Sequence, residues 1–185
     1  ELKKVRYLQG RNPGVPGIIY KLEPENTKLR KLRYVRELWT SIMDLRPVYD
    51  IYSEEKMLEK NFDIDHFVPW SFVANDELWN LMPMEKRLNC SKNNRLPAWD
   101  KYFQGFADNQ FMMFECVQEK EKVKEIFGKC YRDNLVTPWS LEQLYLSGCE
   151  KEKFCRVLEK NLRPIYDSAK MQGYSMWTIS KETMR

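Results

Sequence analysis

Apolar residues return every three or four positions along most of this chain, and at every second position in one short stretch only. Leu29, Leu32, Val35, Leu38, Trp39 and Ile42 make one stripe, which predicts a helix capped by Asn26 or Thr27, running to about Leu45 and ended by Pro47. Beyond Pro97 the helical period resumes. Trp99, Tyr102, Phe103 and Phe106 form a stripe that Phe111–Val117 continues, and Val123, Ile126 and Phe127 face inward from the charged segment Glu119–Cys130. Thr137-Pro138 reads as a cap with proline at the first helical position, opening Trp139–Leu146, which Gly148 closes. A last helix over Glu150–Met171 buries Phe154, Val157, Leu158, Leu162 and Ile165, and Pro164 is expected to kink or divide it. The aromatic clusters at Phe111–Phe114 and Trp139–Leu146 have helical spacing and read as core.

The period changes to two at Phe62. FDIDHFV predicts a short strand with Asp63 and Asp65 on one face and Ile64 on the other, stopped by Pro69. Trp70–Trp79 is turn-rich and predicts an irregular loop. Asn80–Met84 is the returning strand, short and broken at Pro83. Glu85–Arg95 predicts a helix with Lys86, Asn89 and Asn93 on one side and Lys92 beside them. Val48–Tyr52 is a further short strand candidate. Gly10, Pro13, Gly14, Pro16, Gly17 and Pro24 make residues 1–25 an extended arm.

The expected organisation is one α+β domain, mostly helical. It comprises an arm (1–25), a helix and lead-in (26–60), a strand–loop–strand–helix core (61–97) and a helical C-terminal subdomain (98–185). A first residue of Glu1 suits a domain taken from a larger protein.

Composition narrows the classes. With 43% apolar and 14% aromatic residues among 185, the chain folds around a core and is not a disordered tail. No apolar run is long enough to span a bilayer. A net charge of +4 leans only weakly toward anionic partners. Its distribution says more: Lys28, Arg30, Lys31, Arg33 and Arg36 give the first helix a basic start. Five cysteines without a CxxC pair, beside a single histidine, predict reduced thiols in a cytoplasmic setting and no structural zinc. No glycine-rich phosphate cradle occurs.

The chemistry concentrates between Phe62 and Pro97. His66, the sole histidine, offers a neutral imidazole near pH 7 to take a proton from water. Asp65 supplies a carboxylate and Asn89 an amide oxygen, the ligand types magnesium prefers; that ion takes only one or two protein oxygens and completes its shell with water and phosphate. Asn80 can hold the loop and the imidazole in register. Lys92 and Lys86, with Arg30, Lys31 and Arg33, are candidates to balance nucleic-acid charge, and Asp63 and Asn93 are candidate supports behind the ligands. Trp70, Phe72 and Trp79 read as hairpin packing.

DIDHFVPWSF, then Asn80, then NCSKNNRLP resembles the HNH, or ββα-metal, endonuclease motif, with spacing similar to the HNH domain of RNA-guided CRISPR nucleases. The resemblance implies a nuclease that cuts DNA phosphodiesters to 5′-phosphate and 3′-hydroxyl ends, with RNA as the less expected substrate. It implies His66 as general base, Asp65 and Asn89 as ligands to Mg²⁺ (or Mn²⁺), and Asn80 as the asparagine supporting the histidine. A prokaryotic source, and further domains or subunits of a nuclease or defence complex, are expected with it. Asn89 stands where many relatives have histidine. The alternative is a nucleic-acid-binding module on the same fold, catalytically silent or gated by a partner.

Overall fold

The computed structural model describes residues 32–135 and 137–180. The arm over 1–25, the caps Asn26 and Thr27, and the basic residues Lys28, Arg30 and Lys31 lie outside the described residues. Helix α1 (Arg33–Met43) buries Val35, Leu38, Trp39 and Ile42, the expected stripe, and ends short of Pro47. Strand β1 (Phe62–His66) pairs antiparallel with β2 (Leu81–Glu85), Phe62 opposite Glu85 and His66 opposite Leu81. Between them lie a short helix, α2 (Trp70–Val73), and a 3₁₀ turn at Leu78–Asn80, where an irregular loop was expected. Helix α3 (Lys86–Lys92) crosses the hairpin, followed by β3 (Leu96–Pro97). Three long helices complete the fold: α4 (Trp99–Glu119), α5 (Glu121–Asn134) and α6 (Lys151–Met171). The domain is therefore α+β and mostly helical, and no described helix is long and apolar enough to cross a membrane.

Pro83 does not break β2. Phe67 donates to the Asn80 carbonyl at 2.9 Å and Lys86 to the Asn61 carbonyl at 3.4 Å, so the odd-numbered positions of β1 sit in hydrogen-bonded pairs. Pro83 faces Ile64, a pair where no N–H is needed, and its missing donor costs the ladder nothing.

Several expectations are corrected. The strand over Val48–Tyr52 is a turn in which only Tyr49 pairs, with Lys56. Asp50 diverts it, because its Oδ1 accepts from the Tyr52 and Ser53 amides at 2.8 and 3.3 Å and offers the backbone a local partner in place of a ladder. Helix α3 stops at Lys92, short of Arg95, because Asn93 takes φ 49° and ψ −134°, a turn that asparagine tolerates better than most residues. In place of a helix over Trp139–Leu146 there is one π-helical turn, Ser140–Leu144. Helix α6 runs undivided through Pro164. Pro164 and Lys160 are both exposed, so the carbonyl that loses its partner meets water, while buried Leu158, Leu162, Ile165 and Tyr166 hold the helix to the core against the roughly 3 kcal/mol an interior proline costs.

The core is aromatic. Phe67, one residue beyond β1, stacks on Phe106 of α4 at 4.4 Å between ring centroids, and Trp99 stacks on Phe103 at 4.2 Å. Phe114 and Phe154 stack at 5.9 Å, with Tyr145 edge-on, so the clusters at Phe111–Phe114 and Trp139–Leu146 are packing. Strand β4 (Met176–Trp177) returns to lie parallel to β3, and the Tyr166 hydroxyl donates to the Pro97 carbonyl at 2.8 Å. The hairpin and its crossing helix are thus set into a helical cradle.

Candidate active site

β1 delivers Asp65 and His66 side by side, and α3 carries Asn89 across the open side of the hairpin. All three line one cavity of about 240 Å³. Asn93, in its unusual backbone conformation, lines the same cavity.

The imidazole is held at one end. His66 Nε2 lies 2.9 Å from Asp76 Oδ1 and 3.1 Å from the Asn75 carbonyl oxygen. Both partners are acceptors, so Nε2 carries the hydrogen, and the lone pair of the neutral ring is on Nδ1. Asp76 is itself fixed, because Asn134 of α5 donates to its carbonyl at 2.8 Å. Trp79 in the same loop donates from its indole nitrogen to the Thr137 hydroxyl at 3.4 Å.

Asn80 spends its side-chain amide on the backbone two residues past the histidine. It is 0% exposed, its Oδ1 accepts from the Val68 amide at 2.8 Å, and its Nδ2 donates to the Val68 carbonyl at 2.9 Å. The side chain thus replaces a strand partner just past His66 and fixes where β1 ends. From the other side, Gln110 of α4 donates to the Leu81 carbonyl at 2.7 Å.

Asp65 is paired from within. Lys92 Nζ donates to its Oδ1 at 3.2 Å and to the His66 carbonyl at 2.7 Å. Asp65 Oδ2 lies 3.0 Å from the same ammonium, buried and outside hydrogen-bond alignment. This corrects the placement of Lys92 among phosphate contacts: its side chain is 0% exposed and spent on Asp65 and the backbone. Lys86 is exposed but turns to the Lys60 carbonyl at 3.3 Å. Arg33 is exposed at the start of α1. Arg36 of the same basic run binds the Phe62 carbonyl at 2.6 Å and Asp63 at 3.1 Å, so Asp63 faces α1 and not the cavity.

Asp76, Asn134 and Gln110 carry no signal in the sequence. A carboxylate in a turn-rich loop and single amides on long helices look like any others until the loop is closed. Asp50 is a fourth such residue. Its Oδ2 accepts from the Glu85 amide at 2.8 Å, tying the lead-in to the end of β2, and burial pushes its carboxyl above the ordinary 3.8 against the pull of its backbone donors.

The donor set suits a hard cation. Asp65 and Asn89 border one cavity, Asp65 Oδ2 is buried without a hydrogen-bond donor, and two protein oxygens are what magnesium ordinarily takes.

An antiparallel hairpin crossed by a short helix, with imidazole, carboxylate and amide on one polar cavity, defines a ββα nuclease-type module. Residues 50–98 match the family model described as HNH endonuclease. The matched segment begins at Asp50, the residue that bridges the lead-in and β2. No curated protein matches the chain.

Proposed function

We propose that the chain is a divalent-metal-dependent DNA endonuclease in which His66 Nδ1 takes the proton of the attacking water. The observation that supports this most is that Asp65, His66 and Asn89 border one cavity while two acceptors hold the far nitrogen of His66. Proton transfer of this kind contributes about 10²- to 10⁴-fold in rate. Asp76 and the Asn75 carbonyl set the tautomer and aim the ring, and Asn80 fixes the strand end from which the ring projects. Asp65 and Asn89 would hold Mg²⁺, or Mn²⁺ in its place, which when bound stabilises charge on the scissile phosphate and the leaving oxygen. Exposed Arg33, with Arg30 and Lys31 before it in sequence, supplies charge for the DNA backbone. The family resemblance supports a prokaryotic cytoplasmic setting as one part of a larger nuclease.

A second reading, a binding module whose catalysis is gated by a partner, draws on one observation. The Lys92 ammonium already neutralises Asp65 from the buried side, so a cation at this site shares its carboxylate with a resident positive charge. Supercoiled plasmid incubated with Mg²⁺ or Mn²⁺, with and without EDTA, separates the readings. Nicking that requires the metal supports the first, and DNA binding without nicking supports the second. Nicking indifferent to EDTA would refute the metal mechanism.

A further inference from the structure

Tryptophan is costly to leave in water, and most of this protein's indoles are inside: Trp39, Trp79, Trp99 and Trp177 are 0–6% exposed. Trp70 is 40% exposed. It opens α2, whose next apolar residues, Phe72 and Val73, are buried, so the helix presents core on one side and this indole on the other. A single exposed tryptophan on an arbitrary surface would mean little. Trp70, however, lines the cavity that holds Asp65, His66 and Asn89.

Beside that cavity lies a larger groove of about 680 Å³, bordered by Ser71, Arg95, Gln172 and Tyr174. Cys90, Asn93 and Asn94 belong to both walls, so cavity and groove adjoin across these residues. Among the described residues, no carboxylate apart from Asp65 borders either. Beside the Asp65 carboxylate and the His66 imidazole, the polar groups there are amides, hydroxyls and a guanidinium, none of which repels a phosphodiester strand.

We propose that Trp70 is a base-stacking platform that takes the nucleobase of a nucleotide flanking the scissile phosphate. The inference rests on the nuclease reading and adds a substrate class to it. An indole can cover a base only when that base has left its own stack, so the site favours unpaired DNA, at single strands, ends or locally opened duplex. The backbone continues along the groove, and the indole holds the strand in register at the cavity.

The test is binding in EDTA, where no cutting occurs, to two single-stranded oligomers of equal length and charge: oligodeoxythymidine and its abasic counterpart. Stacking on one aromatic side chain corresponds to about 5- to 150-fold in affinity per base. The wild type should prefer the base-bearing oligomer by that order. Trp70→Ala should lose the preference while its affinity for the abasic oligomer stays the same, and Trp70→Phe should keep most of it. Unfolding midpoints close to wild type in both variants, expected for an exposed side chain, make the comparison fair. Equal preference in wild type and Trp70→Ala would overturn the proposal. So would a wild type that nicks plasmid with Mg²⁺ yet binds no single strand, and that result leaves the nuclease reading standing. A wild type that neither binds nor cuts defeats both.

Discussion

Removing Asn80 should cost the protein stability first and activity through it. The side chain is fully buried and spends both ends on one residue, its oxygen on the Val68 amide and its nitrogen on the Val68 carbonyl. Val68 is itself 0% exposed, so neither backbone group can turn to water when the amide is gone. A buried donor or acceptor stripped of its partner costs about 1–3 kcal/mol. Two such groups in Asn80→Ala predict a loss of about 2–6 kcal/mol, a large share of the roughly 5–15 kcal/mol by which domains are stable. Asn80→Asp should do no better, because a carboxylate still accepts from the amide but cannot donate to the carbonyl, and it buries a charge. Urea unfolding followed by circular dichroism measures the loss. Plasmid nicking well below the unfolding midpoint should fall further than the folded fraction does, since the strand end carrying His66 is released. An Asn80→Ala protein within about 0.5 kcal/mol of wild type would refute the clamp, and lost nicking in that protein would point to direct participation of Asn80 in the chemistry.

His66→Ala should lower nicking by about 10²- to 10⁴-fold while DNA binding persists; a wild-type rate would remove the general-base role. Asp76→Ala should reduce kcat with KM little changed, because the ring loses an anchor and the substrate does not, and a change confined to KM would contradict that. Asn89→Ala should raise the Mg²⁺ concentration for half-maximal nicking, with about 1.4 kcal/mol for each tenfold, and an unmoved titration would take Asn89 out of the ligand set. Burial raises the Asp50 carboxyl above 3.8, so the folded state holds this proton more tightly than the unfolded chain does. The wild type's stability relative to Asp50→Asn should therefore fall as pH climbs above that value through the raised pKa, read from urea midpoints over a pH series. A gap that widens instead would show the sign to be wrong.

The parts of this fold written in periodicity were legible. The stripes of α1, α4 and α6 each repeat often enough to reveal their faces, whereas β1 departs from its expected alternation, with Asp63 turned to α1 and Ile64 beside Asp65 on the cavity. Strands β3 and β4 span two residues apiece, too few for any period to appear. Trp139–Leu146 and Val48–Tyr52 mislead because local polar bonds outcompete the regular pattern, as Asp50 shows. In the site, Asp65, His66 and Asn89 could be chosen by type and spacing. Lys92 could not be placed, since a lysine on a short polar helix reads as solvated, and only the meeting of α3 with β1 shows that its ammonium is enclosed. Asp76 was invisible for the converse reason: its partner lies across a loop whose closure depends on α5.

That closure bears on how the matched segment could travel. Asn134, Gln110, Thr137 and Tyr166 all lie downstream of residue 98, yet they grip the loop and strand ends on which the chemistry depends. A cassette cut at the borders of the family match would arrive in a new host without its braces. Recombination that moves this nuclease intact must therefore carry the downstream helices along, and engineers who graft it should count them as part of the tool.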